Sequence, residues 1–465
     1  MANAQEQRGD LLRQIGFFTA TVLVISNMIG TGIFTTSGLA MQELEDPLML
    51  LLCWLCGGLF ALCGALCYGE LGAKFPRAGG EYVFLRESFG GLSAFLSGWI
   101  SLVVGFSAPI AAAAIAFATY AFSAFGLETG TGTGLEIFGF QVARISYAHL
   151  VAVGVVIVFS LLHYHSISAG SRIQNLLTLT NFGLILIFIT AGLTLGEGTS
   201  SHLMQAKGIS TFSAEAFAVS MVFVYFAYSG WNAAAYLGGE ISSPQRNIPL
   251  SLIVGTLTVM ALYLLLNLVY VYSMSVEQMK GVIEVGALSA KSLFGAQATP
   301  YFSLAVAIGI LSAISAMVMT GPRIYYAMSR DGVFFTGFSR VDPERRTPSL
   351  SIILQAAIAC IMIITSTFDA LLMYIGFTLS IFSMLAVIGL MKIRITRPEI
   401  VSRYKTPGYP LTPLLFIGVN IWIIYHVLQS RPISSLFGIA TIALGVAVYA
   451  CFSCRRQQAE SGATG

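Results

Sequence analysis

Apolar residues gather into twelve runs, at roughly 15–41, 47–71, 91–125, 146–164, 174–195, 213–239, 248–274, 298–327, 349–366, 370–393, 410–428 and 433–453, each bounded by polar or turn-forming residues. A bilayer core about 30 Å thick takes a helix of about 20 residues. The pattern therefore predicts an all-α polytopic membrane protein with twelve transmembrane helices. Two runs are interrupted: the first carries Gly30-Thr31-Gly32 at its centre, and the sixth carries Ser229-Gly230 followed by Trp231-Asn232. Glycine weakens a helix, and non-helical backbone at membrane depth is tolerated only where it is buried in protein or lines a cavity. Either interruption alone fits ordinary small-residue helix packing. Together they occupy matching places, because five runs start from each break. Paired interruptions of this kind point to a transporter built from inverted repeats, with its site at the bilayer midplane between the broken helices.

Composition agrees with this pattern. Of 465 residues, 56% are hydrophobic and 10% charged, with a mean hydropathy of +0.81, whereas a soluble domain carries about a quarter charged residues. The net charge of +3 is too small to suggest nucleic acid as a partner. The first apolar run is too long for a signal peptide and has no small-residue cleavage site, so it reads as a retained span. With the N-terminus inside, only Arg144, Lys207, Lys280, Lys291 and Arg431 fall on outer segments; the other Lys and Arg fall on inner ones. This asymmetry predicts cytoplasmic termini. The inner loop from Tyr68 to Val83, with its Pro and paired glycines, reads either as a positive-inside loop or as an inner gate. Gly321 to Gly332 reads as an amphipathic helical turn at the interface. All seven cysteines lie in or beside apolar runs, so no disulfide-linked accessory subunit is expected. Cys451-x-x-Cys454 has no second pair to complete a metal site; no metal and no cofactor are expected.

The motifs Ser26-Asn-Met-Ile-Gly-Thr-Gly-Ile-Phe34, Gly69-Glu-Leu with Pro76-Arg-Ala-Gly-Gly-Glu-Tyr82, and Phe226-Ala-Tyr-Ser-Gly-Trp-Asn232 with Glu240-Ile-Ser-Ser-Pro-Gln-Arg-Asn-Ile-Pro249 resemble the amino acid–polyamine–organocation superfamily. The likeness covers nearly the whole chain and is greatest to the L-type amino acid transporter branch and its bacterial relatives. It implies a LeuT-type 5+5 inverted repeat plus two peripheral helices. The expected parts are a cytoplasmic N-terminus (1–14), two five-helix repeats (15–200 and 201–400), two peripheral transmembrane helices (401–453) and a cytoplasmic tail (454–465). The implied function is secondary transport of an amino acid across the cell membrane.

A zwitterionic amino acid suits a broken helix, whose opposed ends offer free N–H groups to a carboxylate and free C=O groups to an ammonium. The carboxylate is expected on the N–H groups of Thr31, Gly32 and Ile33, around Gly30. The ammonium is expected on carbonyls of Met28, Ile29, Phe226 and Ser229, around Gly230. The resemblance makes Phe226 the outer lid as well. Side-chain selectivity is expected from the third, sixth, eighth and tenth spans, with Ser107, Ala108, Ala111, Ala112, Trp231, Asn232, Ser312 and Ser315 as candidates. No acid or base stands in mid-span there: Glu70, Glu215 and Glu240 lie near span ends. A neutral substrate is therefore expected over a charged one. Glu240 reads as a cap of the inner gate or as a structural partner of Arg246 or Lys74. Aligned with the family pattern, Asn181 stands where many relatives carry a lysine, and Asn cannot titrate. Exchange or facilitated uptake is therefore expected, with Asn181 supplying hydrogen bonds. Sodium coupling stays open, because Ser312 and Ser315 read either as packing residues or as oxygen ligands. Two other classes compete. A channel needs a continuous polar lining, and an enzyme would have to use His163-Tyr-His165, which reads as a solvated loop pair with no carboxylate or cysteine beside it.

Overall fold

The computed structural model describes residues 13–462 except 129, 131, 132, 138, 139, 166, 206–211, 341–346, 366, 367 and 431. The first apolar run folds as α1 (Phe17–Met28) and α2 (Gly32–Leu44), bent by 40° across the break. Then come α3 (Pro47–Lys74), α4 (Glu81–Phe89), α5 (Gly91–Ile100), a π-helical stretch Ser101–Ser107, and α6 (Ala108–Ala124). An antiparallel hairpin, β1 (Thr133–Ile137) and β2 (Phe140–Ile145), precedes α7 (Tyr147–His165) and α8 (Ile167–Thr194). The sixth run gives α9 (Ala214–Tyr228) and the single turn α10 (Ala233–Tyr236), followed by α11 (Pro244–Ser273), α12 (Val276–Met279) and α13 (Val285–Phe294). The chain ends with α14 (Ala298–Thr320), α15 (Pro322–Arg330), α16 (Ser349–Thr365), α17 (Phe368–Thr396), α18 (Leu411–Ser430) and α19 (Pro432–Gly462). Among the described residues nine helices are long and apolar enough to cross a membrane, or ten with the bent α1–α2 pair; α9 and α16 are shorter. The chain is a polytopic helical membrane protein. The hairpin, α4, α12 and α13 fall between the apolar runs, where hydropathy carries no signal.

Helix starts follow local chemistry. Asp46 caps α3, its Oδ1 accepting from the Met49 N–H at 2.9 Å, with Pro47 at the first helical position. Ser213 caps α9 and Ser275 closes a capping box with Gln278. In the interior α11 packs on α3 and α1, α14 on α6, and α9 on α2. On the periphery Val158, Leu161, Leu176, Ile187, Ile421, Phe437 and Leu444 on α7, α8, α18 and α19 are exposed. An apolar surface of that extent is a face for hydrocarbon.

The end of the bundle where the chain enters α1 and α4 is closed by backbone and ion pairs. Ile15 bridges in parallel to Ile241, and Ala78 bridges to Leu237 just after α10. Arg86 pairs with Asp331, which also accepts from Tyr82 Oη at 2.7 Å. Glu70 pairs with Arg394 and accepts from the Thr406 hydroxyl at 2.8 Å. Glu240 meets neither Arg246 nor Lys74: its Oε1 accepts from Arg323 Nε at 3.2 Å, because α15 turns Arg323 inward. The stretch 321–332 is helical as expected, yet Arg323, Ile324, Tyr325, Tyr326 and Met328 are buried against neighbouring helices. The turn before α4 depends on Gly79 and Gly80, at φ +118° and +52°. A Cβ on Gly80 would come within 2.6 Å of the Tyr236 ring. Gly80→Ala should therefore displace α4 and lower the apparent melting temperature in detergent by several degrees, about 2 kcal/mol; an unchanged melting curve would contradict this role.

Candidate binding site at the paired helix breaks

The two interruptions meet. Gly230, at φ +97°, lies against the first break so closely that a Cβ there would be 2.5 Å from the Asn27 carbonyl oxygen. A Cβ on Gly32 would lie 2.6 Å from Ala227 Cβ. Glycine is required at both positions, for conformation at Gly230 and for close approach at Gly32. Tyr263 of α11 ties the pair together: its hydroxyl reaches the carbonyls of Met28 at 2.6 Å and Ala227 at 3.1 Å, one on each broken helix. Tyr263 packs in turn edge-on against Trp54 and at a tilt against Tyr228.

The ends of the breaks differ in how much hydrogen-bonding capacity they hold back. Among the described residues, the N–H groups of Thr31, Gly32 and Ile33 donate to nothing, and the carbonyls of Ile29 and Ser229 accept from nothing. Met28 O is engaged by the Gly30 N–H and by Tyr263, which uses both its lone pairs. Phe226 O accepts from the Ser229 N–H at 3.0 Å. The arrangement thus presents donors on one broken end and acceptors across from it, as a carboxylate and an ammonium require.

Beside the second break lies a cavity of about 60 Å³, walled by residues of the third, sixth, eighth and tenth runs and by Glu81. Ser229, Gly230, Trp231 and Asn232 line it; Asn27 does too, whereas Met28 to Ile33 do not. Trp231 also wedges its ring against Tyr68 and Phe416. In the third run the wall is Ser101, Gly105, Phe106 and Pro109, not Ser107, Ala108, Ala111 or Ala112. The π-helical turn adds a residue per turn and rotates the facing positions away from a 3.6-residue projection; Ser107 Oγ instead donates to Leu102 O at 2.6 Å. From α14 the wall is Met317 and Thr320. Ser312 belongs to a buried cluster with Ser26 and Thr178, each at 3.0 Å, beside Gln174. Ser315 bonds His163 Nε2 at 2.9 Å, so His163 is a buried helix residue and not a solvated one. Asn181 packs on Gly309, where a Cβ would meet its Cγ at 2.7 Å. Phe226 is buried and lies outside the cavity wall.

Sequence reasoning placed the carboxylates near span ends and left Glu81 in a loop. The structure turns α4 back under the bundle and buries Glu81, whose Oε1 accepts from Tyr68 Oη at 2.6 Å and Asn232 Nδ2 at 3.1 Å. Burial pushes its carboxyl up to about 7, and the hydrogen bonds from Tyr68 and Asn232 oppose that rise. Its position after the Gly79-Gly80 turn was the one available signal.

Gly32→Ala and Gly230→Ala should each weaken substrate binding by at least roughly tenfold while leaving folded protein; unchanged affinity in both would remove the site. The raised Glu81 carboxyl binds an extra proton in the folded state between its ordinary range and about 7. Its contribution to stability is therefore full at low pH and lost as pH rises through about 7. Melting temperature measured in detergent should fall over that window, and Glu81→Gln should flatten that part of the profile.

A family model described as amino acid permease matches residues 15–459. Serine/threonine exchanger SteT of Bacillus subtilis (strain 168) is 28% identical over 442 residues, covering 94% of this chain and 96% of that protein. The b(0,+)-type amino acid transporter 1 of Homo sapiens is 27% identical over 446 residues, covering 95% and 88%. The cystine/glutamate transporter of Homo sapiens is 27% identical over 450 residues, covering 96% and 86%. With the model matched across nearly its whole length, as the motif resemblance implied, the chain belongs to the amino acid permease family.

Proposed function

We infer that the protein is a secondary transporter that moves neutral L-amino acids across the plasma membrane by alternating access, through exchange or facilitated uptake. The observation that carries this reading is the set of unbonded N–H groups at Thr31, Gly32 and Ile33 opposed to the unbonded carbonyls of Ile29 and Ser229. A zwitterion satisfies both ends without a side-chain charge. Family membership and two relatives named as a serine/threonine exchanger and a cystine/glutamate transporter support the class. We further read twelve spans in two inverted five-helix repeats, 15–200 and 201–400, with 401–453 peripheral and both termini cytoplasmic. Phe226 is read as the outer lid, Glu240 with Arg323 as an inner latch, and Ser312 and Ser315 as packing hydroxyls, since their partners are Ser26, Thr178 and His163. Asn181 offers no titratable group at the place a coupling lysine would hold. We expect no disulfide-linked subunit.

Proteoliposomes preloaded with a neutral amino acid should take up labelled substrate severalfold faster than empty ones. That uptake should persist without sodium and after the pH gradient is dissipated. Absence of stimulation by internal substrate, together with a requirement for a sodium gradient, would overturn the exchange reading.

A further inference from the structure

Glu81 stands out once the cavity is examined for groups that the backbone recognition does not use. Its Oε1 is committed to Tyr68 and Asn232, while Oε2 takes no hydrogen bond from any described residue and is not sealed from the cavity. No lysine, arginine or histidine is among the lining residues, so the carboxyl has no cation beside it there. The charged groups on its own helix point elsewhere: Arg86 to Asp331, and Glu87 to Arg77 and Arg397. Of the other polar side chains of the wall, Thr320 donates to Ala316 O at 2.8 Å, and Asn232 to Tyr236 Oη at 3.2 Å as well as to Glu81, which leaves the Ser101 and Ser229 hydroxyls as neutral companions to the one carboxyl. A carboxyl oxygen that looks into a small cavity without a protein partner is left to water or to a ligand. A ligand group that meets it gains what an apolar group forfeits.

We propose that Glu81 is a specificity-determining residue of the transport site, its free oxygen hydrogen-bonding the side-chain hydroxyl of a small hydroxylated amino acid of the serine and threonine class. The proposal rests on the transporter reading above and names the substrate class of that site. Size is compatible with it: about 60 Å³ holds roughly four to six waters, enough for a side chain of a few heavy atoms. Chemistry supports it. With burial holding the Glu81 carboxyl near neutrality, both protonation states are populated, and a hydroxyl donates to one and accepts from the other. A methyl group in the same place does neither. Sites that hydrogen-bond a substrate hydroxyl reject the analogue lacking it far more strongly than apolar pockets separate homologues.

The test is a competition panel in proteoliposomes loaded with the complete chain, using the near-isosteric pair threonine and valine and the pair serine and alanine. Threonine should outcompete valine, and serine alanine, by roughly ten- to a hundredfold. Glu81→Gln keeps an oxygen for Tyr68 and Asn232 and sets an amide N–H, still able to meet a hydroxyl, in place of the free oxygen, so it should shrink both ratios only severalfold through lost charge assistance; Glu81→Leu should bring them close to one. Should Glu81→Leu fail to fold, the wild-type ratios and Glu81→Gln still decide. Equal competition within each pair in the wild type, with counterflow intact, would overturn the role of Glu81 and leave the transporter reading standing. Ratios that survive Glu81→Leu unchanged would overturn it likewise. No counterflow with any neutral amino acid would instead defeat the transporter reading itself.

Discussion

Backbone polar groups inside a bilayer must find partners in the protein, and this requirement organises the molecule. Two helices are interrupted at depth, and each interruption frees groups that hydrocarbon cannot satisfy. The chain answers by pressing the two breaks together: Gly230 lies on the Asn27 carbonyl and Gly32 on Ala227. The one proton of the Tyr263 hydroxyl is shared between a carbonyl from each. What remains unbonded is a small set of N–H and C=O groups at the two breaks, and that unmet capacity is what the proposed binding site would use. A compact site made of main chain also explains why α2 and α9 must pack so closely, since any added carbon at the glycines would separate donors from acceptors.

Much of this was legible in the sequence. The twelve apolar runs each meet helix, and the glycines at 30, 32 and 230 mark the breaks, because both features are local: a run of apolar residues and a residue without a Cβ. The four runs expected to wall the side-chain cavity do so. The facing residues within them were less legible. A seven-residue π-helical stretch shifts the register of the third run, so Gly105 and Phe106 face the cavity where a regular projection chose Ser107 and Ala108. Long-range pairing was illegible altogether. Glu240 finds Arg323, and His163 finds Ser315, across 83 and 152 residues. Glu81 was hidden for the same reason, since only the fold back at Gly79 and Gly80 brings a loop carboxylate beneath the breaks.

The end of the bundle that carries the ion pairs is built on a different principle. Closure there uses charge: Arg86 with Asp331, Arg323 with Glu240, and Glu70 with Arg394. Breaking a buried pair by removing one partner is costly, yet separating both partners into water restores hydration to each. Such pairs therefore suit a surface that opens into an aqueous compartment. Backbone contact reinforces them where Ile15 and Ala78 add to the segment after α10, so the N-terminal residues, the loop before α4 and the end of the sixth run form one continuous inner seal.

The hydrogen bond that Tyr263 shares between two carbonyls has a mechanical consequence. A single hydroxyl holding a carbonyl of α1 and a carbonyl of α9 acts as a rivet: neither helix can slide past the other without losing half of it. The tyrosine is carried by α11, which packs on α1 and α3, so the two breaks and their neighbours form one rigid block. Motion that exposes the site to either side of the membrane must then occur at the outer edges of that block. Any rearrangement that keeps this hydrogen bond also keeps the spacing between the free N–H groups of the first break and the free carbonyl of Ser229 in the second.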